Sequence, residues 1–161
     1  MKYRIERATT EHLEKVMELW LKLMEEHKKY DSVFFAEVDK NKDYYFNDLK
    51  DYVTNTSRKV LLILYINETI VGYLTAEITD RNGYYNSQEY CIIGDIIIED
   101  SFRKKGFGKA LIAKVKIWCK EKNVKRIELN VFAENNSGHE FFKQIGFQDS
   151  FHTMCLSQDN M

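Results

Sequence analysis

EDSFRKKGFGKALIAKVKIWCKEK, residues 99–122, decides the reading of this chain. Gly106 and Gly108 sit two apart, Arg103, Lys104 and Lys105 precede them, and CIIGDIII lies upstream as a strand. From Gly106 to Lys120 the apolar positions Phe107, Ala110, Leu111, Val115 and Trp118 fall on one helical face. A basic, glycine-bearing turn therefore passes a strand to a helix. Such a turn leaves unpaired backbone N–H groups pointing forward, and the helix dipole adds roughly half a positive charge there. Glycine lets the main chain approach a ligand closely and take positive φ. The expected occupant is an anion, with phosphate or pyrophosphate the best fit.

Charge is concentrated around this turn. Residues 103–126 carry ten Lys/Arg against the single acid Glu121, a local +9, in a chain of net charge −1. The rest therefore sums to −10, which argues against a general nucleic-acid binder and for one anionic ligand at one place. The chain has 161 residues, 44% hydrophobic and 30% charged, which predicts one globular domain, 1–161. The longest apolar run, VLLILYI at 60–66, is too short to cross a bilayer. The opening MKYRIERATTEHLEK lacks an apolar signal core, so a cytoplasmic protein with no membrane partner is expected. Cys91, Cys119 and Cys155 fit neither a zinc site nor a disulfide framework and read as reduced, buried thiols; no metal is expected.

Outward from the turn, periodicity gives the remaining elements. KYRIERA (2–8) alternates as a strand, and Leu13, Val16, Met17, Trp20, Leu23 and Met24 form one face of a helix. Residues 27–41 read as a loop and Lys42 to Thr54 as a second helix. Strands follow at 59–66, 69–79 and 89–98, with Asn67-Glu68 as a hairpin turn between the first two. RIELNVF (126–132) reads as a strand, Ser137 and Glu140 as a capping box starting a helix that ends before Gly146, and FHTMCL (151–156) as a closing strand. The order is β-α-α-β-β-β-α-β-α-β. Three successive strands make an antiparallel meander, and the strand–helix–strand crossover makes a parallel pair, hence an α/β fold with a mixed sheet.

Two nucleotide folds use glycine turns of this kind. A P-loop requires G-x-x-x-x-G-K-[ST], whereas here Gly108-Lys109 is followed by Ala110 and the first glycine is missing. GFGKAL holds a weak dinucleotide-type G-x-G-x-A, but a largely polar seven-residue stretch separates it from the strand and a meander precedes it.

DIIIEDSFRKKGFGKALI (95–112) resembles the central motif of the GNAT superfamily of acyl-CoA N-acyltransferases, [RQ]-x-x-G-x-[GA], matched at Arg103, Gly106 and Gly108. The family's second motif, N-x-x-A-x-x-F-Y-x-x-x-G-F, is matched by NNSGHEFFKQIGF at Asn135, Phe141, Gly146 and Phe147. The element order is also the family's, so the resemblance covers nearly the whole chain. It implies a sheet splayed beside a coenzyme A site and acetyl-CoA as co-substrate. Backbone groups from Arg103 through Lys104, Lys105, Gly106, Phe107 and Gly108 to Lys109 would hold the pyrophosphate. Backbone groups of Ile96 and Ile98 would pair with the pantetheine arm, and Asn135 would contact that arm. The implied activity is direct, ternary-complex transfer of acetyl to a primary amine of a small molecule or peptide, in a chain that some relatives' habits would make a homodimer. A non-catalytic acyl-CoA-binding regulatory module is the alternative.

Two positions depart from the pattern. Gly138 replaces the motif's alanine, a small change. Phe142 stands where the family has its tyrosine general acid, so a proton for the departing thiolate would come from water or another group, with Tyr30, Tyr84, Tyr85 and His152 as candidates. A thiol with a pKa of about 8.5 makes that acid useful but dispensable, whereas an amine with a pKa of about 10.4 needs a base. Asp95 is the candidate base or amine anchor. Under strict alternation it shares an apolar face with Cys91, Ile93 and Ile97, which would raise its pKa. Glu77, Glu89 and the 27–37 segment, with His27 and Asp31, are the next places to look.

Overall fold

A computed structural model describes residues 2–32, 35, 38–81 and 89–156. The chain divides into two compact units, Met1–Asn130 and Val131–Met161.

The first unit runs β1 (Tyr3–Arg7), α1 (Leu13–His27), α2 (Lys42–Thr54), β2 (Lys59–Ile66), β3 (Thr69–Asp80), β4 (Glu89–Ile98), α3 (Phe107–Glu121) and β5 (Ile127–Leu129). The five strands form one sheet in sequence order. β1 to β4 are antiparallel and β4–β5 is parallel, as the meander and crossover predict. Asn67 and Glu68 join β2 to β3 with φ of 46° and 64°, the two left-handed residues of a type I′ hairpin. β2 is buried on both faces, which is why KVLLILYI has no polar alternation. On one face Leu61, Ile63, Tyr73 and Ile97 pack with Leu13, Val16, Leu19 and Trp20 of α1 and Leu49 and Tyr52 of α2. α3 covers the other face with Leu111, Ile112, Val115 and Trp118.

The regular ladder between β3 and β4 breaks once. Leu74 faces Ile96 and Ala76 faces Ile93, so Thr75 alone opposes Gly94 and Asp95, a bulge on β4. The bulge reverses the alternation on which the sequence reading of Asp95 relied. Cys91 and Ile93 stay on the α3 side, whereas Asp95 and Ile97 lie on the α1/α2 side with Tyr73. The expectation that Asp95 shares a face with Cys91 and Ile93 is therefore corrected.

The break also shortens β5. The Cys91 N–H donates to the Arg126 C=O at 2.8 Å, so odd residues of β4 point their main chain at β5 up to Ile93. Continuing would require Asp95 to do the same, but its N–H is taken by Thr75. The strand expected over 126–132 is accordingly only Ile127–Leu129.

The second unit contains α4 (Asn136–Gln144). Its N-cap is Asn135, whose Oδ1 accepts from the Gly138 N–H at 2.9 Å, rather than the expected Ser137–Glu140 box. Its C-terminus is a Schellman motif: Phe147 N–H bonds Phe142 C=O at 3.0 Å, Gly146 N–H bonds Lys143 C=O at 3.1 Å, and Gly146 has φ of 99°. Residues 151–156 form no strand among the described residues, and Phe151, Met154 and Leu156 are exposed. Residue type marks a segment suited to a strand, but a strand exists only with a pairing partner. Cys155 is exposed, unlike Cys91 and Cys119, and no described helix is long and apolar enough to cross a membrane.

A Cβ at Gly72 would lie 2.5 Å from the Ile97 carbonyl oxygen. Gly72→Ala should therefore push β3 and β4 apart beside the bulge and cost about 1–3 kcal/mol. Urea unfolding checks this; an unchanged midpoint would mean that the strands give way freely there.

Candidate active site

The site in the first unit grows from the bulge and from the turn after β4. Past the bulge, the Glu99 N–H donates to the Val71 C=O at 2.8 Å. Antiparallel pairing alternates, so the Ile97 peptide also faces β3 and those of Ile96 and Ile98 face away from it. They point to the edge where β5, which pairs only with Cys91–Ile93, has ended. This is the geometry an extended arm needs in order to add itself as a strand.

The turn follows directly. Gly106, with φ of 85°, is the N-cap of α3, Lys104 has φ of 59°, and no side chain caps the helix. The first intrahelical bond is Ala110 N–H to Gly106 C=O, 3.1 Å, so the helix itself leaves the N–H groups of Phe107, Gly108 and Lys109 unused. Phe107 is buried edge-on against Tyr3, ring centroids 5.4 Å apart, which fixes the first turn. The cations divide into two kinds. Arg103 donates from Nε to the Ile98 C=O at 2.8 Å and pairs with Glu26 at 2.5 Å and Asp100 at 3.0 Å. Lys105 donates to the Ser101 C=O at 2.7 Å. Lys104 and Lys109 are exposed and make no ion pair among the described residues.

On the α1/α2 face, Asp95 accepts hydrogen bonds from the Tyr45 and Tyr73 hydroxyls, the latter at 3.2 Å. Trp20 stacks on Tyr45 with centroids 4.3 Å apart. Burial raises the Asp95 carboxyl above the ordinary aspartate value, the two tyrosine bonds oppose this, and the charge of Asp48 adds to it. Burial and the neighbouring charges push Tyr45 and Tyr73 well up, so both remain hydroxyl donors. No cation pairs with Asp95 among the described residues. Glu77 and Glu89, by contrast, pair with Lys59 at 3.4 Å and Arg58 at 2.7 Å. His27 lies with its ring 5.2 Å from that of Phe35, and burial lowers its pKa. Cys91 is no nucleophile here, because the bond to Cys119 and burial both raise its thiol. Tyr84 and Tyr85 lie outside the described residues.

Sequence reasoning missed Tyr45, Tyr73 and Thr75. Their signals were present: Tyr73 and Thr75 alternate on one face of β3, and Tyr45, Leu49 and Tyr52 recur at helical spacing on α2.

In the second unit, Asn135 is engaged as the α4 cap and His152 is exposed. A Cβ at Gly138 would lie 2.7 Å from Asn135 Nδ2, so glycine there matters to the capping geometry. Phe142 packs edge-on to Phe147 at 5.6 Å and Phe141 at 5.0 Å, serving as the apolar staple of the Schellman motif.

Beyond Ile93 the β5-facing edge of β4 has no strand beside it, and it runs into a basic helix N-terminus with the Asp95 carboxylate on one face of the strand. The chain belongs to the acetyltransferase (GNAT) family, whose model matches residues 9–147. It is 27% identical over 149 residues to an uncharacterised N-acetyltransferase of Methanocaldococcus jannaschii, covering 91% of this chain but only 61% of that protein. The fold is that of a predicted acetyltransferase from Clostridium acetobutylicum solved with acetyl-CoA, with a TM-score of 0.77, 18% identity and 99% of each chain covered. It is also that of the aminoglycoside acetyltransferase AAC(6')-Iy in complex with a CoA-linked bisubstrate analogue, with a TM-score of 0.72, 19% identity, and 98% and 99% covered.

Because folding raises the Asp95 pKa above the unfolded value of about 3.9, its contribution to stability is full below that value and is lost as pH rises through the folded pKa. Asp95→Asn should remove this loss. The stability difference, mutant minus wild type, should grow from pH 4 towards neutrality in thermal melts; a flat difference would mean that the carboxylate is not strained by burial.

Proposed function

We propose that the chain is an acetyl-CoA-dependent N-acetyltransferase that moves acetyl directly to a primary amine of a small molecule or peptide in a ternary complex. We read residues 1–161 as one such domain. The observation that carries this reading is the β4 bulge: a single break in register turns Ile96 and Ile98 to the open edge and Asp95 to the opposite side of the strand, seven residues before the turn that begins at Phe102 and Arg103.

The residues divide the work as follows. The N–H groups of Phe107, Gly108 and Lys109 receive the donor's pyrophosphate, with Lys104 and Lys109 adding long-range attraction. The Ile96 and Ile98 peptides hold the pantetheine arm, and an N–H on this edge polarises the thioester carbonyl. Asp95 takes a proton from the ammonium form of the acceptor, directly or through water, or anchors that cation; its raised pKa makes it a stronger base than an exposed aspartate. The amine nitrogen forms its bond to the carbonyl carbon as the carbon–sulfur bond breaks. The thiolate takes a proton from water, because Phe142 offers none, and that water takes in turn the second proton that the nitrogen sheds as the amide forms, so that neutral thiol and neutral amide result.

The second reading, an acyl-CoA-binding module without turnover, rests on Phe142 in the place of the family's acid. Thiol release from acetyl-CoA with a panel of primary amines separates the two. The enzyme reading expects turnover with at least one amine; binding without any turnover supports the module.

If backbone and space make the cradle, Gly108→Val should abolish acetyl-CoA binding, while Lys104→Ala should weaken it modestly and only at low salt. Calorimetric titration at two ionic strengths checks this, and equal losses would contradict it. For the chemistry, Asp95→Asn should leave acetyl-CoA affinity nearly unchanged and lower kcat by roughly a hundredfold or more. If Asp95 is the base, it also supplies the acidic limb of the pH–rate profile, which the variant loses; if it is an anchor, its replacement raises the amine's KM and leaves the profile's shape intact. A fully active variant would make Asp95 structural.

A further inference from the structure

Thr75 is a buried hydroxyl, 3% exposed, in the middle of β3. It stands where the ladder breaks. Its Oγ1 accepts the Asp95 backbone N–H at 2.8 Å, so a side-chain hydroxyl takes the place of a main-chain carbonyl at that rung. Gly94 complements it: a Cβ there would lie 2.9 Å from the same Oγ1. The Tyr52 hydroxyl interacts with Thr75 from α2. Among the described residues Thr75 is the group that bonds the main chain of the bulge from β3, while the Tyr45 and Tyr73 hydroxyls hold the Asp95 side chain; the flanking pairs, Ala76 with Ile93 and Leu74 with Ile96, are regular.

Moving the break would change both halves of the site. With the register of Cys91 and Ile93 carried through, the peptides of Asp95 and Ile97 would face the open edge in place of those of Ile96 and Ile98. The Asp95 side chain would turn from Tyr45 and Tyr73 to the α3 side. A valine at 75 has the threonine's shape and no acceptor, which leaves the Asp95 N–H buried without a partner and favours that slip.

We propose that Thr75 is the positioning residue of this site: its hydroxyl pins the bulge at Gly94–Asp95 and so sets which peptides meet the donor and which way Asp95 points. This rests on the acetyltransferase reading above. It assigns Thr75 no contact with either substrate.

The test compares Thr75→Val, Thr75→Ser and Gly94→Ala in the full chain, with each variant's fold verified by its thermal transition. Thr75→Val should lower kcat roughly a hundredfold, as expected for misplaced reacting groups. It should also weaken acetyl-CoA binding about tenfold or more through two lost backbone bonds. By NMR hydrogen exchange, its Asp95 amide should lose protection. Thr75→Ser should stay within about threefold of wild type in all three readouts, since it keeps the acceptor. Gly94→Ala, which displaces the hydroxyl from the other strand, should behave like Thr75→Val. A folded Thr75→Val with wild-type kcat and affinity, or with a protected Asp95 amide, overturns the assignment. A merely structural threonine would lower the melting temperature of Thr75→Val and leave kcat and affinity unchanged. Wild type that binds acetyl-CoA but acetylates no amine leaves affinity and exchange to decide by the same criteria. Wild type that binds no acetyl-CoA overturns the acetyltransferase reading and this assignment with it, a result distinct from failure of Thr75 alone.

Discussion

The hydrogen bond from the Asp95 amide to the Thr75 hydroxyl, 2.8 Å long, lies at the point where two registers of the sheet meet. On one side of it β4 is an ordinary inner strand, paired with β3 and β5. On the other side β4 has an open edge and a carboxylate on the face that β5's neighbours do not reach. A net gain of about 0.5–1.5 kcal/mol is typical of one such bond, but leaving a buried N–H unpaired costs about 1–3 kcal/mol. That asymmetry, together with the tyrosine bonds to the Asp95 carboxylate, favours the irregularity at this residue. The length of β5, the orientation of Ile96 and Ile98 and the surroundings of Asp95 all follow from where it sits.

Electrostatics then sort the residues around that break. Exposed ion pairs are worth roughly 0–1 kcal/mol, so the pairing of Arg103 with Glu26 and Asp100 shapes the turn more than it stabilises the fold. Its Nε bond to the Ile98 carbonyl ties the turn to the end of β4. Lys104 and Lys109 contribute a salt-dependent field, and on the proposed reading the selective part of the donor's cradle is the set of backbone N–H groups at the start of α3. Asp95 is the opposite case, a carboxylate whose burial outweighs two donated hydrogen bonds and raises its proton affinity. Perturbed carboxylates of this kind gather at functional sites because proton transfer near neutral pH needs them.

Much of this was legible in the sequence. Apolar runs marked β2 and β4, the helical stripe marked α1, and RKKGFG marked the turn into α3, all within a residue or two of the observed bounds. What could not be read was the bulge. A strand pattern assumes period two, and nothing in CIIGDIII announces that alternation restarts after Gly94; glycine there is only a weak hint. Hence Asp95 was chosen for a partly wrong reason, and its tyrosine partners, which come from α2 and β3, were missed. Residues 151–156 failed differently, because strand-forming residue types are present but pairing partners are not encoded locally. Asn135 was expected to meet the donor, and its capping of α4 depends on a contact with Gly138 that spacing alone does not reveal.

The central claim is that the bulge presents the Ile96 and Ile98 peptides as an edge for the donor's arm. Residue-resolved amide hydrogen exchange with and without acetyl-CoA tests it most directly. The account predicts that acetyl-CoA slows exchange at Ile96 and Ile98 and at Phe107, Gly108 and Lys109, while Ile97, already bonded to β3, changes little. Protection confined to the α3 turn, with Ile96 and Ile98 exchanging as before, would contradict it.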